Sequence, residues 1–187
     1  MSDRIENVRT IHEGWLTMRM ATVRMDDGSV AEREVVEHPD GAAVLLYNPG
    51  KRTALLVTEL RPAVELVGEP RMLEVVAGKI DEGDAEACAR REAEEEAGVR
   101  VSKLEWVGRF WATPASSTER VDYFLAAFSE DDRTSRGGGL EDEQEMLRVR
   151  EVPLSELWHD ASAGRLADAK TFLLLQALRL RRPELFA

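Results

Sequence analysis

Residues 78–99, GKIDEGDAEACARREAEEEAGV, form the most regular stretch of this 187-residue chain. From residue 85 to residue 97 the stretch is rich in Ala, Glu and Arg, which are strong helix formers. Asp84 is placed to cap the first turn of a helix, and Gly98 is placed to end the last turn. The sequence therefore predicts a helix over residues 85–97.

Three glutamates fall on one face of this predicted helix. At about 100° per residue, Glu96 lies about 40° to one side of Glu92, and Glu95 lies about 60° to the other. Like charges at these spacings destabilise a helix by roughly 0.2–0.5 kcal/mol per pair, so something is expected to offset them. A hard divalent cation that prefers oxygen ligands, above all Mg2+, is the natural candidate.

A solvated acidic surface is the alternative explanation of the same face. Charge runs usually face water, and Arg91 can pair with Glu95 one turn along the helix. The glutamate arc also carries the small residues Ala85, Cys88 and Ala89. Small side chains favour a face that another part of the molecule approaches, so we interpret the arc as a candidate site.

Short apolar runs on both sides of the helix predict strands. These runs are residues 15–25, 30–36, 42–47, 53–58, 73–77, 104–112, 121–128 and 146–152. Residues 26–29 would close a hairpin, and Gly137, Gly138 and Gly139 would mark a mobile loop. Helices are predicted over residues 155–163 and 170–182, the second apolar on most faces and therefore largely buried. This order predicts an α+β fold in which a mixed sheet packs between helices.

The composition argues against several classes of protein. Hydrophobic residues make up 43% of the chain, but no apolar run approaches the ~20 residues that cross a bilayer, so no membrane association is expected. The net charge of −11 repels nucleic acid, so no nucleic-acid partner is expected. The single Cys88 and the lack of a signal peptide favour the cytoplasm. Three scattered histidines, His12, His38 and His159, predict no zinc site.

The closing half of the helical stretch resembles the Nudix box, G-x5-E-x7-R-E-U-x-E-E-x-G-U, where U is apolar. Gly78 matches the opening glycine, and residues 91–99, REAEEEAGV, match the end of the motif position for position. Two departures lie between them: Asp84 stands in place of the first glutamate, and six rather than seven residues separate it from Arg91. Neither departure removes the glutamates of the helix.

Further strings resemble the GDP-mannose pyrophosphatase branch of the Nudix hydrolases, which is related to the ADP-ribose pyrophosphatases. These strings are AGKID, TPASSTE, GGGLEDE and DAKTFLLLQAL, and the resemblance extends from about Trp15 to Leu178. It implies a Mg2+-dependent pyrophosphohydrolase that cleaves a nucleoside diphosphate sugar. GDP-mannose, giving GMP and mannose 1-phosphate, is the leading substrate, and ADP-ribose, giving AMP and ribose 5-phosphate, is the alternative. A non-catalytic module that binds a nucleotide sugar is the alternative from another class.

The resemblance also implies a set of metal ligands. They are the backbone carbonyl of Ala77 and the carboxylates of Glu92, Glu96 and Glu143, for Mg2+ or Mn2+. Glu95 would support these ligands or bind a second metal, and Arg91 would clamp the loop of the box. Either Glu119 or Glu143 would orient or deprotonate the attacking water, so Glu92, Glu96, Glu119 and Glu143 are the candidate catalytic residues.

Positions matching substrate contacts in the same branch are Trp15, Arg33, Arg61, Ala77, Gly78, Lys79, Glu119, Asp142 and Lys170. Arg61 and Arg33 would offset the diphosphate charge, and their alternative is an ordinary surface salt bridge. Trp15 would stack on the base, or it would pack in the core. For Glu143, which follows the glycines, the alternative is a disordered acidic loop.

Two regions are expected from this resemblance. Residues 1–38 would form an N-terminal β extension that pairs with a second copy in a homodimer, and residues 39–187 would form the Nudix hydrolase domain. Trp15 or Arg33 would then serve either the same subunit or its partner.

Overall fold

The computed structural model of the chain describes residues 4–139 and 147–187. Within these ranges the chain forms nine strands, four α-helices and two short 3-10 helices. The strands are β1 (Arg4–Glu13), β2 (Thr17–Arg24), β3 (Val30–Glu37), β4 (Gly41–Asn48), β5 (Thr53–Thr58), β6 (Val76–Lys79), β7 (Glu105–Trp111), β8 (Arg120–Ala127) and β9 (Arg148–Pro153). The helices are α1 (Pro62–Leu66), α2 (Ala85–Ala97), α3 (Leu154–Ser162) and α4 (Ala169–Arg181), and the 3-10 helices span Glu130–Asp132 and Pro183–Phe186.

The chain divides into two compact units. One contains the described residues up to Asp40 together with Arg109–Val121, and the other contains Gly41–Gly108 and the described part of Asp122–Ala187. Strands β7 and β8 have residues in both units.

Strand β4 is the centre of the larger unit. All eight of its residues are buried, as a continuous apolar run predicts for a strand that is covered on both faces. Alternate residues Ala42, Val44 and Leu46 join the core formed with α2, and the residues between them point to the opposite face. Helix α4 also contacts β4. The predicted packing of a sheet between helices is therefore confirmed.

The central sheet, counted over the described residues, has the order β7-β8-β4-β5-β9, with β6 paired to one end of β4. The last residues of β4 pair antiparallel with β5, whereas its first residues, Gly41–Val44, pair antiparallel with Lys79–Val76 of β6. A predicted strand over residues 73–77 is therefore displaced toward the C-terminus. Glu74 forms only an isolated bridge with Val57, and Gly78 lies inside the strand rather than directly after it.

The smaller unit contains an antiparallel sheet of order β1-β2-β3. The hairpin of β2 and β3 around residues 26–29 is confirmed, but β1 was not predicted. Its apolar residues Ile5, Val8 and Ile11 are spaced by three instead of two. Register shifts between Ile5 and Asn7 and between Thr10 and His12 account for this spacing, because each adds a residue to the strand.

Two helices differ from the sequence prediction. Helix α1 was missed; it is only five residues long and has Pro62 in its first turn. Helix α4 is buried on one face only, so the expectation of a largely buried helix is wrong: Leu174, Leu175 and Leu178 are buried, whereas Leu180 is 82% exposed. In the part of the chain that the structure describes, no helix is long and apolar enough to cross a membrane.

Candidate active site

Helix α2 turns its glutamate face inward. Asp84 caps the helix by accepting a hydrogen bond from Ala87 N at 2.8 Å, and Gly98 ends it in the left-handed conformation (φ 66°), as predicted. Glu92 and Glu96 are only 8% and 5% exposed, and they share the buried face with Cys88, Ala89, Ala93 and Ala97. A solvated acidic surface is therefore excluded for these two glutamates. Burying a carboxylate costs free energy unless a cation or hydrogen bonds compensate it. We therefore expect positive charge beside this face.

Gly78 makes room for Glu92. A Cβ atom built at Gly78 would lie 1.8 Å from Oε1 of Glu92, so only a glycine lets the carboxylate rest against this strand. Gly78 is the residue after Ala77, whose backbone carbonyl is a predicted ligand. The box glycine and a box glutamate, which are 14 residues apart in sequence, are thus in direct contact.

Arg91 links two of the clustered glutamates to the backbone of β6. Its Nη2 lies 2.7 Å from Oε1 of Glu92 and 3.4 Å from the carbonyl oxygen of Lys79, and its Nη1 donates to Oε2 of Glu95 at 2.9 Å. One guanidinium therefore holds two of the three clustered glutamates and the backbone of β6. Glu95 is less buried than Glu92, and it forms the pair with Arg91 that the alternative of a solvated face foresaw.

The residues of this site fit a hard divalent cation. The predicted donors within the described residues are the carboxylate oxygens of two buried glutamates and the carbonyl of Ala77, and oxygen donors are those that Mg2+ and Mn2+ prefer. Among residues 4–139 and 147–187, no group of three or more His, Cys, Asp or Glu side chains is arranged to hold a metal ion. The expected third carboxylate, Glu143, and the expected substrate contact Asp142 lie outside the described residues.

The glycines at 137–139 pack against the C-terminal end of α2. Gly138 N donates to the carbonyl oxygen of Glu96 at 2.8 Å, and Gly139 N donates to that of Glu95 at 3.3 Å. A Cβ at Gly137 would lie 2.2 Å from the carbonyl oxygen of Glu96. The glycines of this predicted loop allow the backbone to approach the box helix closely and to hydrogen-bond with it.

Arg61 lies in a charged cluster at the end of β5. Its Nε and Nη2 donate to the two carboxylate oxygens of Glu74 at 2.9 and 3.0 Å, and Nη2 lies 2.5 Å from Glu59. Burial alone would lower the pKa of Arg61, but Glu74, Glu59 and Glu96 together raise it. Burial raises the pKa of Glu59, and Arg61 only partly opposes this effect. The surface salt bridge considered for Arg61 is thus a partly buried, two-point pair.

Lys170 extends this cluster to the start of α4. Its Nζ lies 2.8 Å from Oδ1 of Asp168 and 3.4 Å from Oε2 of Glu74. Asp168 also caps α4, since its Oδ2 accepts hydrogen bonds from the backbone N (2.9 Å) and hydroxyl (2.6 Å) of Thr171. Burial would raise the pKa of Asp168, but the charge of Lys170 and the hydrogen bonds from Lys170 and Thr171 outweigh burial and lower it.

We expect Asp168→Asn to destabilise the protein by roughly 1–3 kcal/mol at pH 7, because an amide can still cap α4 with its oxygen but loses the charge and the second acceptor that pair with Lys170. The folded pKa of Asp168 lies below the unfolded value of about 3.9. Its ionised carboxylate therefore stabilises the fold above about pH 4, and this stabilisation is lost as the pH falls through the folded pKa. Urea unfolding from pH 7 downward should show the difference between wild type and variant shrinking below about pH 4.

Asp160→Asn is the matched control for this prediction. Asp160 pairs with Arg165 on the exposed side of α3, and we expect a cost below about 1 kcal/mol. A difference between wild type and Asp168→Asn that stays constant down to pH 2 would contradict the role of the carboxylate charge.

In the smaller unit, His38 lies between two other predicted site residues, Trp15 and Glu119. The ring of Trp15 meets that of His38 edge to face, with centroids 6.3 Å apart, and Nδ1 of His38 lies 3.7 Å from Oε1 of Glu119. Trp15 is 78% exposed, which excludes core packing in this chain. Arg33 is also exposed, and its Nη1 donates to the carbonyl oxygen of Glu32.

Four residues that shape these clusters were missed from the sequence: His38, Glu59, Glu74 and Asp168. Two of them left a signal. Glu74 is the one acid within the apolar run LEVVA, and Asp168 stands three residues before Thr171 at the start of a helix, the spacing of an N-cap. His38 and Glu59 left none, because only the tertiary structure brings them to their partners.

Comparison with known proteins agrees with this geometry. The chain matches the NUDIX domain over residues 37–175. It is 38% identical to a GDP-mannose pyrophosphatase from Cronobacter sakazakii, over 97% of this chain and 98% of that protein. It is 36% identical to one from Klebsiella pneumoniae, over 91% of this chain and 88% of that protein. A solved structure entitled "Crystal structure of ADP compounds hydrolase" is similar with a TM-score of 0.74 and 19% identity, over 97% of both chains.

These matches confirm the predicted Nudix fold, a mixed sheet with helices. The family match spans the box glycine, the glutamate helix, Arg61 and Lys170. The buried glutamates of α2 and the glycine beside them are therefore the box of a known family: the chain belongs to the Nudix domain family.

Proposed function

We propose that this protein is a Mg2+-dependent pyrophosphohydrolase that cleaves GDP-mannose into GMP and mannose 1-phosphate. The observation that carries the proposal is the pair of buried carboxylates, Glu92 and Glu96, on the face of α2 that meets Gly78. The name shared by several relatives, GDP-mannose pyrophosphatase, supports the substrate. The likeness to the solved ADP compounds hydrolase is a likeness of fold, so ADP-ribose enters as a substrate to be tested.

The carbonyl of Ala77 and the carboxylates of Glu92, Glu96 and Glu143 would hold Mg2+ or Mn2+, with Glu95 in support. When bound, such a cation stabilises negative charge on the diphosphate oxygens and lowers the pKa of the attacking water. Arg91 keeps Glu92 and Glu95 in place through its two ion pairs. Either Glu119 or Glu143 would orient or deprotonate the water that adds to phosphorus as the P–O bond breaks.

Binding of the substrate would fall to residues outside the helix. Arg61 and Lys170 would donate to diphosphate or sugar oxygens, with further contacts from Gly78, Lys79 and Asp142. Trp15 would stack on the base, and its 78% exposure leaves the ring accessible for stacking. Arg33 and Glu119 would complete the substrate contacts.

We further propose a homodimer, formed by the β extension of residues 1–38, in the cytoplasm. Every residue of β1 is exposed, including the apolar Ile5, Val8 and Ile11, so this strand offers apolar surface to a second copy. The lone buried Cys88 suits a reducing compartment. Light scattering of the purified protein would measure the number of copies.

We expect Gly78→Ala to reduce kcat about 100-fold while leaving the fold intact. The added methyl would overlap the Glu92 carboxylate, which is the end of a flexible side chain and can move away. We therefore expect the carboxylate to be misplaced for catalysis without a loss of fold stability. Steady-state kinetics and the melting temperature, measured on the same sample, separate the two effects. Gly50→Ala is the control, since its nearest neighbour outside the adjoining residues, Oδ1 of Asn48, would lie at 3.4 Å, and we expect normal activity. Normal kcat in Gly78→Ala would disprove the role of this contact.

A substrate panel tests the proposed function. GDP-mannose, ADP-ribose and other nucleoside diphosphate sugars are incubated with the protein and Mg2+, and the products are identified by mass in heavy-oxygen water. GMP and mannose 1-phosphate, with the label on one of the two phosphates, are the expected products. Binding without cleavage of any sugar would instead support a non-catalytic nucleotide-sugar module.

A further inference from the structure

We propose that Glu74 is a positioning residue for substrate binding: it orients Arg61 and Lys170 toward the diphosphate and sets substrate affinity without contacting the substrate. This inference rests on the proposed function. Glu74 is 2% exposed, and its backbone exchanges two hydrogen bonds with Val57, at 2.8 and 2.9 Å. These bonds anchor the backbone of Glu74 to β5, the strand that ends three residues before Arg61.

The contact between Glu74 and Arg61 defines the orientation of the guanidinium. Both oxygens of Glu74 accept from one edge of the group, Nε and Nη2, and Glu59 takes a further contact on Nη2. A two-point contact fixes the plane of a guanidinium, which a single ion pair does not. Among the described residues, Nη1 of Arg61 has no hydrogen-bond partner. Its two N–H groups remain able to donate to a ligand, and the side chain is 40% exposed.

The charges in this cluster indicate that the direction of its N–H groups matters more for diphosphate binding than its net charge does. Three carboxylates (Glu59, Glu74 and Asp168) surround two cations (Arg61 and Lys170), so the ionised cluster has a net charge of −1, from −3 and +2. Such a cluster does not attract a diphosphate by net charge. It can bind one only through N–H groups that point at the ligand, and Glu74, which contacts both cations, is the residue that aligns them.

The same cluster reaches the box helix. Glu96 is close enough to contribute to the raised pKa of Arg61, so the aligned guanidinium lies within the electrostatic range of a proposed metal ligand. Lys170 is held mainly by Asp168 at 2.8 Å and only at 3.4 Å by Glu74, so loss of Glu74 should affect Arg61 more than Lys170.

A double-mutant cycle tests the positioning role. GDP-mannose binding is measured by calorimetry in EDTA, where no metal supports turnover, and KM and kcat are measured with Mg2+. We expect Glu74→Gln to raise Kd and KM about tenfold while kcat changes less than about twofold, the pattern of lost ground-state binding. In an Arg61→Ala background, we expect Glu74→Gln to raise Kd by less than about twofold further, because Glu74 acts through Arg61.

The control is Glu151→Gln, which removes a carboxylate paired with Lys51 and Arg133 on β9 and should change Kd less than about twofold. A Glu74→Gln protein with wild-type Kd, or an equal loss in both backgrounds, overturns the inference. Wild type that binds GDP-mannose in EDTA but does not cleave it with Mg2+ refutes the proposed function alone, and the cycle is then read from Kd. Wild type that neither binds GDP-mannose or ADP-ribose in EDTA nor cleaves either of them with Mg2+ overturns both.

Arg61→Lys carries the test if Glu74→Gln fails to fold. Lysine keeps the positive charge opposite Glu74 but cannot form the two-point contact. We expect its Kd to match that of Arg61→Ala within about threefold, because alignment and not charge gives the affinity. A Kd near that of wild type would contradict the inference.

Discussion

Replacing Glu92 by Gln should reduce kcat for GDP-mannose by about 1000-fold or more, equivalent to about 4 kcal/mol of transition-state stabilisation. Glutamine has the same shape as glutamate but lacks the charge needed to hold a divalent cation beside the buried Gly78 contact. We expect the fold to persist, and the magnesium-dependent rise in melting temperature to fall. Kinetics and thermal melting with and without Mg2+ measure both effects.

Glu86→Gln is the matched control on the same helix. Glu86 is exposed and pairs loosely with Arg90 at 3.6 Å, so its change should leave kcat within about twofold of wild type. Near-normal turnover in Glu92→Gln would remove Glu92 from the proposed metal ligands. Loss of the melting transition itself would assign the residue to folding instead.

We expect the second large effect in Gly137→Ala, which should lower the stability of the fold. Gly137 has a positive φ of 66°, and its added Cβ would lie 2.2 Å from the carbonyl oxygen of Glu96 and within 3 Å of the backbone of Ala97. These are backbone atoms at the end of a helix, so they cannot move aside as a side chain can. We expect a loss of about 3 kcal/mol or more in the free energy of unfolding, measured in urea.

Gly164→Ala separates backbone strain from the clash. Gly164 has a similar φ of 70°, but a Cβ there would have nothing within 4 Å. We expect this variant to lose only about 1 kcal/mol, which is the cost of the left-handed conformation alone. Equal losses in the two variants would show that close packing at Gly137 contributes nothing. A drop in kcat in folded Gly137→Ala would show that the contact also positions Glu96.

Much of the larger unit was predictable because its residues follow strong local rules. Helix α2 has the predicted bounds, because its cap, its alanines and its final glycine all favour the same limits. The continuous apolar run of β4 predicted a strand buried on both faces. Strand β1 was not predictable by alternation, since its register shifts break the period of two.

The charged clusters were only partly predictable. Arg61 and Lys170 are 109 residues apart in sequence, and each was singled out through the resemblance alone. The buried carboxylate of Glu74 contacts both cations. This arrangement depends on how β5 and α4 are placed in the fold, and no pattern of neighbouring residues in the sequence predicts it. The Trp15, His38 and Glu119 contacts in the smaller unit arise in the same way.

The sequence by itself determined the box helix, its acidic face and the family, because helical periodicity and a dense motif depend on residues close together in the chain. Only the tertiary structure decided that Glu92 and Glu96 are buried rather than solvated, and that Glu92 packs on Gly78. It also decided that Gly137–Gly139 pack against the helix end and that Arg61 is held by Glu74. Burial and long-range pairing depend on which distant segments pack together, and local sequence patterns do not record that.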